Sequence, residues 1–221
     1  MCGYIGNLYE APGVIDLMEE LGIQMPLPFF QSYQRRVHPA LITAEGGAPA
    51  LSKAIWWYAM KREGQTWVPN PDITSFNARN LDGRLWKPAV KSRRGLIFGT
   101  EVGESKGRDH YLMRTDRGLA VGALYQDWHT PGEEIVRSMA VITRPPHPRF
   151  SRYHDKSIPM SLPMEADILR TWLDPACGAD HPLIASLLDN PRIYTPLSVT
   201  RVKSFKRGEP LGDTEQLAAD E

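Results

Sequence analysis

An α+β fold is predicted for this 221-residue chain: a single domain of curved, largely antiparallel, barrel-like β-sheet with a few peripheral helices. Three observations predict it: strand-like runs follow one another through the middle, short amphipathic segments sit near the two ends, and there is no long helix or internal repeat. Pro12 to Leu21 sets Val14, Leu17, Met18 and Leu21 on one helical face, with Pro12 suited to a first turn and Gly22 to a C-terminal stop. Met25 to Pro39, rich in proline and aromatics, reads as irregular chain. Six strands are expected at Ala40 to Thr43, Ala54 to Met60, Leu96 to Val102, Asp109 to Thr115, Leu119 to Tyr125 and Ile135 to Thr143. Asp116-Arg117-Gly118 reads as a hairpin turn between two of them. Helices follow at Met164 to Leu173, after Pro163, and at Pro182 to Leu188, where Asp180 suits the N-cap. Leu197 to Phe205 is a last strand. The domain is expected to span residues 1–207, with 208–221 as an acidic, disordered tail.

Lys and Arg number 26 and so do Asp and Glu, and this formal neutrality by itself argues against a nonspecific nucleic-acid binder. The balance is uneven, because Glu209, Asp213, Glu215, Asp220 and Glu221 all follow the last basic residue, Arg207, so the body before them is basic. No signal peptide and no membrane-spanning run is legible, which reads as cytoplasmic, nucleoid-associated if the source is bacterial. The two cysteines, Cys2 and Cys177, lie far apart without metal-ligand spacing, so neither a disulfide framework nor a metal or other cofactor is expected, and Cys177 reads as structural.

Removal of Met1 from Met1-Cys2-Gly3 would leave a cysteine with a free α-amine and a thiol on adjacent carbons. Such a pair condenses with an aldehyde to an imine and closes a thiazolidine through sulfur. Amine and thiol pKa values of about 8 and 8.5 keep both nucleophiles usable near neutrality. The plain alternative is a small buried cysteine. Asn77, at the end of a strand-like run, could orient an amine or carbonyl, or could form a turn. Glu104 lies past the apolar strand, where desolvation would raise its pKa into the range for proton exchange; the alternative is a solvated hairpin acid, and Glu101 is its confusable neighbour. His154, in a proline-bounded loop, suits acid and base work or simple burial. From Arg79 to Arg94 six basic residues stand against Asp82, with Trp86 among them and Trp56, Trp57, Tyr58 and Trp67 upstream. That pattern fits either a single-strand groove or a core with a solvated charged face.

Taken together, Met1-Cys2-Gly3, Phe76-Asn77-Ala78-Arg79, Trp86-Lys87-Pro88, Glu104 after a strand and His154-Asp155 before Pro159 resemble the SOS response-associated peptidase (SRAP) family in order and interval, from Met1 to about Arg207. The resemblance implies a sensor of abasic sites in single-stranded DNA, acting as a monomer without membrane contact, that loses Met1 and forms a covalent thiazolidine link through Cys2. It assigns Cys2 as nucleophile, Asn77 to hold amine or sugar, Glu104 to shuttle protons and His154 to assist sugar opening. For DNA it implies Arg79, Arg84 and Lys156 on phosphates, Trp67 and Pro39 as apolar surfaces for bases, and Tyr4, where the family usually has arginine, as a stacking replacement. Trp56-Trp57 stands where a tryptophan-glycine pair is common, and Gly103 and Ser105 replace aromatic flanks of the glutamate, so the chain reads as divergent. Two other readings compete: a thiol-dependent peptidase acting on itself or other proteins through Cys2, and a non-covalent single-strand-binding module.

Overall fold

The structure, a computed structural model, describes residues 3–24, 26–189 and 192–220. In chain order it forms β1 (Tyr4–Asn7), α1 (Pro12–Glu20), β2 (Gln31–Gln34), β3 (Ala40–Glu45), β4 (Ala48–Lys53), β5 (Met60–Glu63), β6 (Thr66–Pro69) and β7 (Asn77–Ala78). Then come α2 (Lys87–Ser92), β8 (Arg94–Lys106), β9 (Asp109–His129), β10 (Ile135–Arg144), β11 (Ile158–Pro159), β12 (Ser161–Leu162), α3 (Ala166–Leu173), α4 (Pro182–Asp189), β13 (Leu197–Val202) and β14 (Pro210–Leu217).

The long strands β8 and β9 form the spine, and β9 also pairs with β10, β12 and β13. The path β11-β10-β9-β8-β1-β2 is antiparallel, and β7 joins β10 in parallel. Its ends, β11 and β2, do not pair with each other, so the sheet is open and the barrel-like closure expected from sequence is not formed. Among the described residues no helix is long and apolar enough to cross a membrane.

Each face of the spine buries its own core. Leu96, Phe98, Ala120, Leu124, Ala140 and Ile142 pack under the helices with Val14, Leu17, Leu169 and Trp172. Ile97, Val102, Met113, Val121 and Val141 pack on the other face with Trp56, Phe76 and Tyr153. Strand residues alternate faces, yet Ile97 and Val102 share one. The register of β8 against β9 slips between Gly99 and Glu101, and this bulge resets the alternation. Val102, and Glu104 two residues on, thereby fall on the face of Trp56 and Phe76 rather than under the helices.

The same irregularity corrects the hairpin expected at Asp116-Arg117-Gly118. β9 continues through these residues, with Leu119 opposite Gly99 and Arg114 opposite Glu101. Gly118 has φ +85°, and a Cβ there would lie 2.3 Å from Val14, so glycine permits the close seat of α1. Ala54 to Met60 does not form the expected strand, and only Met60 enters one, as the start of β5. The rest is an irregular segment bridged at Ile55 to Ser138, and its Trp56 and Trp57 are buried, their indole N–H groups donating to the carbonyls of Phe76 (2.7 Å) and Asn70 (2.8 Å). These tryptophans are core, not a stacking groove. His181, rather than Asp180, precedes the first turn of α4, its carbonyl accepting from Ala185 N at 2.9 Å.

The tail is also corrected. Residues 210–217 are β14, antiparallel to β13 with Leu197 opposite Leu217 and Val199 opposite Glu215. Its acidic, apolar-poor composition reads as disorder because its order comes from a partner strand and from basic side chains elsewhere.

Candidate functional site

Glu104 is completely buried, and desolvation raises its pKa to about 7, against the opposing charge of Arg79. Near neutrality the carboxyl is thus poised between its two forms. His154, also buried, sets Nδ1 3.8 Å from Glu104 Oε2, beyond hydrogen-bond reach, and donates Nδ1–H to the Ser105 carbonyl at 2.8 Å. That bond puts the lone pair of the neutral ring on Nε2. Desolvation lowers the His154 pKa, so the ring is mainly neutral at pH 7.

Asn77 and Arg79 flank Ala78, which is buried in the helix-side core; Asn77 stands opposite Val141 on β10. Arg79 is exposed and donates to Ser157 Oγ at 2.8 Å, three residues past His154. Its charge acts on both Glu104 and His154, so the structure draws these three together. Register carries the chain start to the same place: Ile5 stands opposite Val102 and Tyr4 opposite Gly103, which leads toward Glu104. Cys2 lies outside the described residues.

Glu101, the confusable neighbour, has a different task. Buried on the opposite face, it accepts from Tyr4 Oη at 2.6 Å and from Arg114 Nε at 2.6 Å. Tyr4 is only 2% exposed and stacks on Phe205 at 5.4 Å, so the expected base stacking by Tyr4 is corrected: the ring packs inside the protein. Gly103 allows this, since a Cβ there would meet Phe205 at 2.9 Å and Tyr4 at 3.0 Å. Pro39 is buried as well and offers no surface to a base.

Arg84 and Lys156 are exposed, and Lys156 lines a cavity with Arg79. Trp67, on the small β5–β6 sheet, packs on Trp128 at 4.7 Å and donates to the His129 carbonyl at 2.9 Å, remaining partly exposed. Arg94 belongs to the core instead of a phosphate-facing patch. Among the described residues no group of three His, Cys, Asp or Glu side chains is placed to hold a metal ion.

Sequence reasoning missed what holds the His154 loop. Glu215 on β14 accepts from Tyr153 Oη at 2.7 Å and Arg152 at 2.5 Å, while Asp220 pairs with Arg149 and His147 and accepts from Ile193 N at 2.7 Å. The end of the chain is thereby tied to residues 147–153, just before His154. Deletion of residues 208–221 is expected to speed amide exchange across 147–155 by about tenfold or more, the worth of one or two such contacts. Unchanged exchange in that segment would show the loop to be held by other contacts.

Comparison with known proteins agrees with this architecture. None of the curated proteins matches the chain. Three crystal structures share its fold: a protein from Bordetella bronchiseptica (16% identical, TM-score 0.64, covering 92% of this chain and 100% of that one), one from Bacteroides thetaiotaomicron (14%, 0.65, 92% and 93%) and a phage-related protein from Bordetella bronchiseptica (18%, 0.65, 97% and 100%). Residues 32–205, well over half the chain, match the family model described as SOS response associated peptidase (SRAP). The chain therefore belongs to the SRAP family, known for abasic-site processing in the response to DNA damage.

Proposed function

We propose that this protein captures abasic sites in single-stranded DNA by a covalent bond from Cys2, once Met1 has been hydrolysed away. The observation that carries the reading is Glu104: a fully buried carboxyl with a pKa of about 7, beside His154 and where the register of β1 leads. Family membership supports the same substrate class.

In the proposed reaction the Cys2 amine adds to the aldehyde carbon of the opened sugar, and the carbinol oxygen leaves as water after protonation, giving an imine. The thiol sulfur then adds to the imine carbon and its proton ends on nitrogen, closing the thiazolidine. Glu104 accepts a proton as the amine attacks and returns one to the departing oxygen, a pair of tasks suited to a group half ionised at pH 7. His154 offers Nε2 for opening the sugar ring, and Asn77 holds the amine or sugar with its amide. Arg79, Arg84 and Lys156 take phosphates, and the exposed part of Trp67 supports a base.

The test is incubation of the purified protein with a single-stranded oligonucleotide carrying one abasic site, followed by heating in denaturant. A heat-stable protein-DNA species is expected, with none on the undamaged strand. Absence of that species from protein shown by mass to lack Met1 would remove the proposal.

A further inference from the structure

Beside the candidate centre lies a cavity of about 590 Å³, bounded by the chain after β7, α2, the end of β10 and α4. Its size is within the range of about 300–1,000 Å³ usual for small-ligand sites. Four cations line it, Arg79, Lys87, Arg144 and Lys156, against two acids, Asp82 and Asp189. None of the four forms an ion pair with a carboxylate of the described residues. Arg144 is the most telling. Its Nε is buried with no hydrogen-bond partner among the described residues, although an unsatisfied buried donor costs about 1–3 kcal/mol. Asp82 and Asp189 are near enough for their charge to act on Arg144, yet neither bonds it. The site therefore holds donors in excess, with a place for an acceptor oxygen from outside. Leu81, Val90 and Leu188 supply an apolar wall.

We propose that this cavity is a phosphate-binding subsite that takes one nucleotide of the strand flanking the reacting residue, with the phosphate on Arg144, Lys87, Arg79 and Lys156 and the apolar wall against sugar or base. The proposal rests on a nucleic-acid strand being the partner, as in the proposed function. Arg79 joins the two places, since it lines the cavity while its charge acts on Glu104 and His154. Phosphate suits the donors better than an isolated carboxylate, because two guanidinium forks and two ammonium groups can share its oxygens.

The experiment is fluorescence anisotropy with a labelled oligothymidylate containing no abasic site, titrated at several salt concentrations, so that the covalent chemistry plays no part. Lys87→Gln and Arg144→Gln are each expected to weaken binding by about three- to tenfold at low salt and to reduce the slope of log K against log salt by about 0.7, the loss of one single-strand phosphate contact. Asp189→Asn, on an exposed residue, is expected to tighten binding by about two- to threefold. Lys87 is exposed, so its variant carries the test even where Arg144→Gln fails to fold. Strands with a 5′-phosphate, a 3′-phosphate or neither form the arms: losses confined to one phosphorylated end identify a terminal monoester, and equal losses identify an internal phosphodiester. Affinities and salt slopes unchanged in all three variants would overturn the proposal. That failure is separable from failure of the Cys2 reaction, because the strand cannot crosslink.

Discussion

Replacing Glu104 with glutamine is expected to slow adduct formation on abasic single strands by about 100-fold, the lower end of what a positioned acid-base group contributes, whereas Cys2→Ala leaves no heat-stable adduct at all. The contrast follows from their tasks, since sulfur and amine make the bonds while Glu104 only moves protons. In the unaltered protein the rate is expected to bend near pH 7, where the buried carboxyl titrates; Glu104→Gln loses that bend and keeps those of the terminal amine and thiol, near about 8 and 8.5. Stability should move the other way. The folded state holds the Glu104 proton up to about 7, whereas the unfolded chain releases it near the ordinary value of 4.5. The contribution of this group is therefore complete below pH 4.5 and is lost as pH rises through 7. Glutamine escapes that loss, so the variant should gain on the unaltered protein across this window, by at most about 3 kcal/mol above pH 7. Urea denaturation at pH 4.5 and 8 measures the gain, and identical rates for variant and parent from pH 5 to 9 would show that Glu104 moves no proton in the reaction.

Arg94→Met is expected to cost at least about 3 kcal/mol of stability, enough to endanger folding at 37 °C. Arg94 is 1% exposed and has no carboxylate partner among the described residues. Its guanidinium instead donates to five carbonyls: Val90 and Lys91 in α2, Trp172 in α3, Asp174 just after it, and Cys177. Two helix ends thus converge on one cation, where their partial negative charge favours it. Its plane also lies over the Trp172 ring, 5.6 Å from the centroid. Methionine fills much of the volume but leaves all five acceptors without their donor. Chemical denaturation measures the loss, and Arg94→Lys should recover part of it by restoring charge with fewer donors. A loss under 1 kcal/mol would mean that water replaces the guanidinium readily.

Much of the spine was legible: Leu96 to Val102 and Ile135 to Thr143 lie within β8 and β10, and the runs on either side of Asp116 belong to β9. The helices at Pro12, Ala166 and Pro182 were legible too, because proline starts and apolar spacing are local signals. Short or polar elements were not: β4, the β5–β6 hairpin, α2 and β14 carry weak patterns and take their order from neighbours.

Composition could say that Arg79 and Arg94 are both cations in one basic stretch, and no more. Folding exposes the first beside Glu104 and His154 and encloses the second among helix carbonyls, because burial depends on what other elements converge there. The terminal Cys-Gly pair, the short Asn and His motifs and the glutamate after an apolar run are local facts, and reading them needs no fold. Which face each glutamate occupies is not local. Counting alternate residues along β8 fails at the Gly99–Glu101 slip, and this one irregularity sends Glu101 to Arg114 and Glu104 to His154.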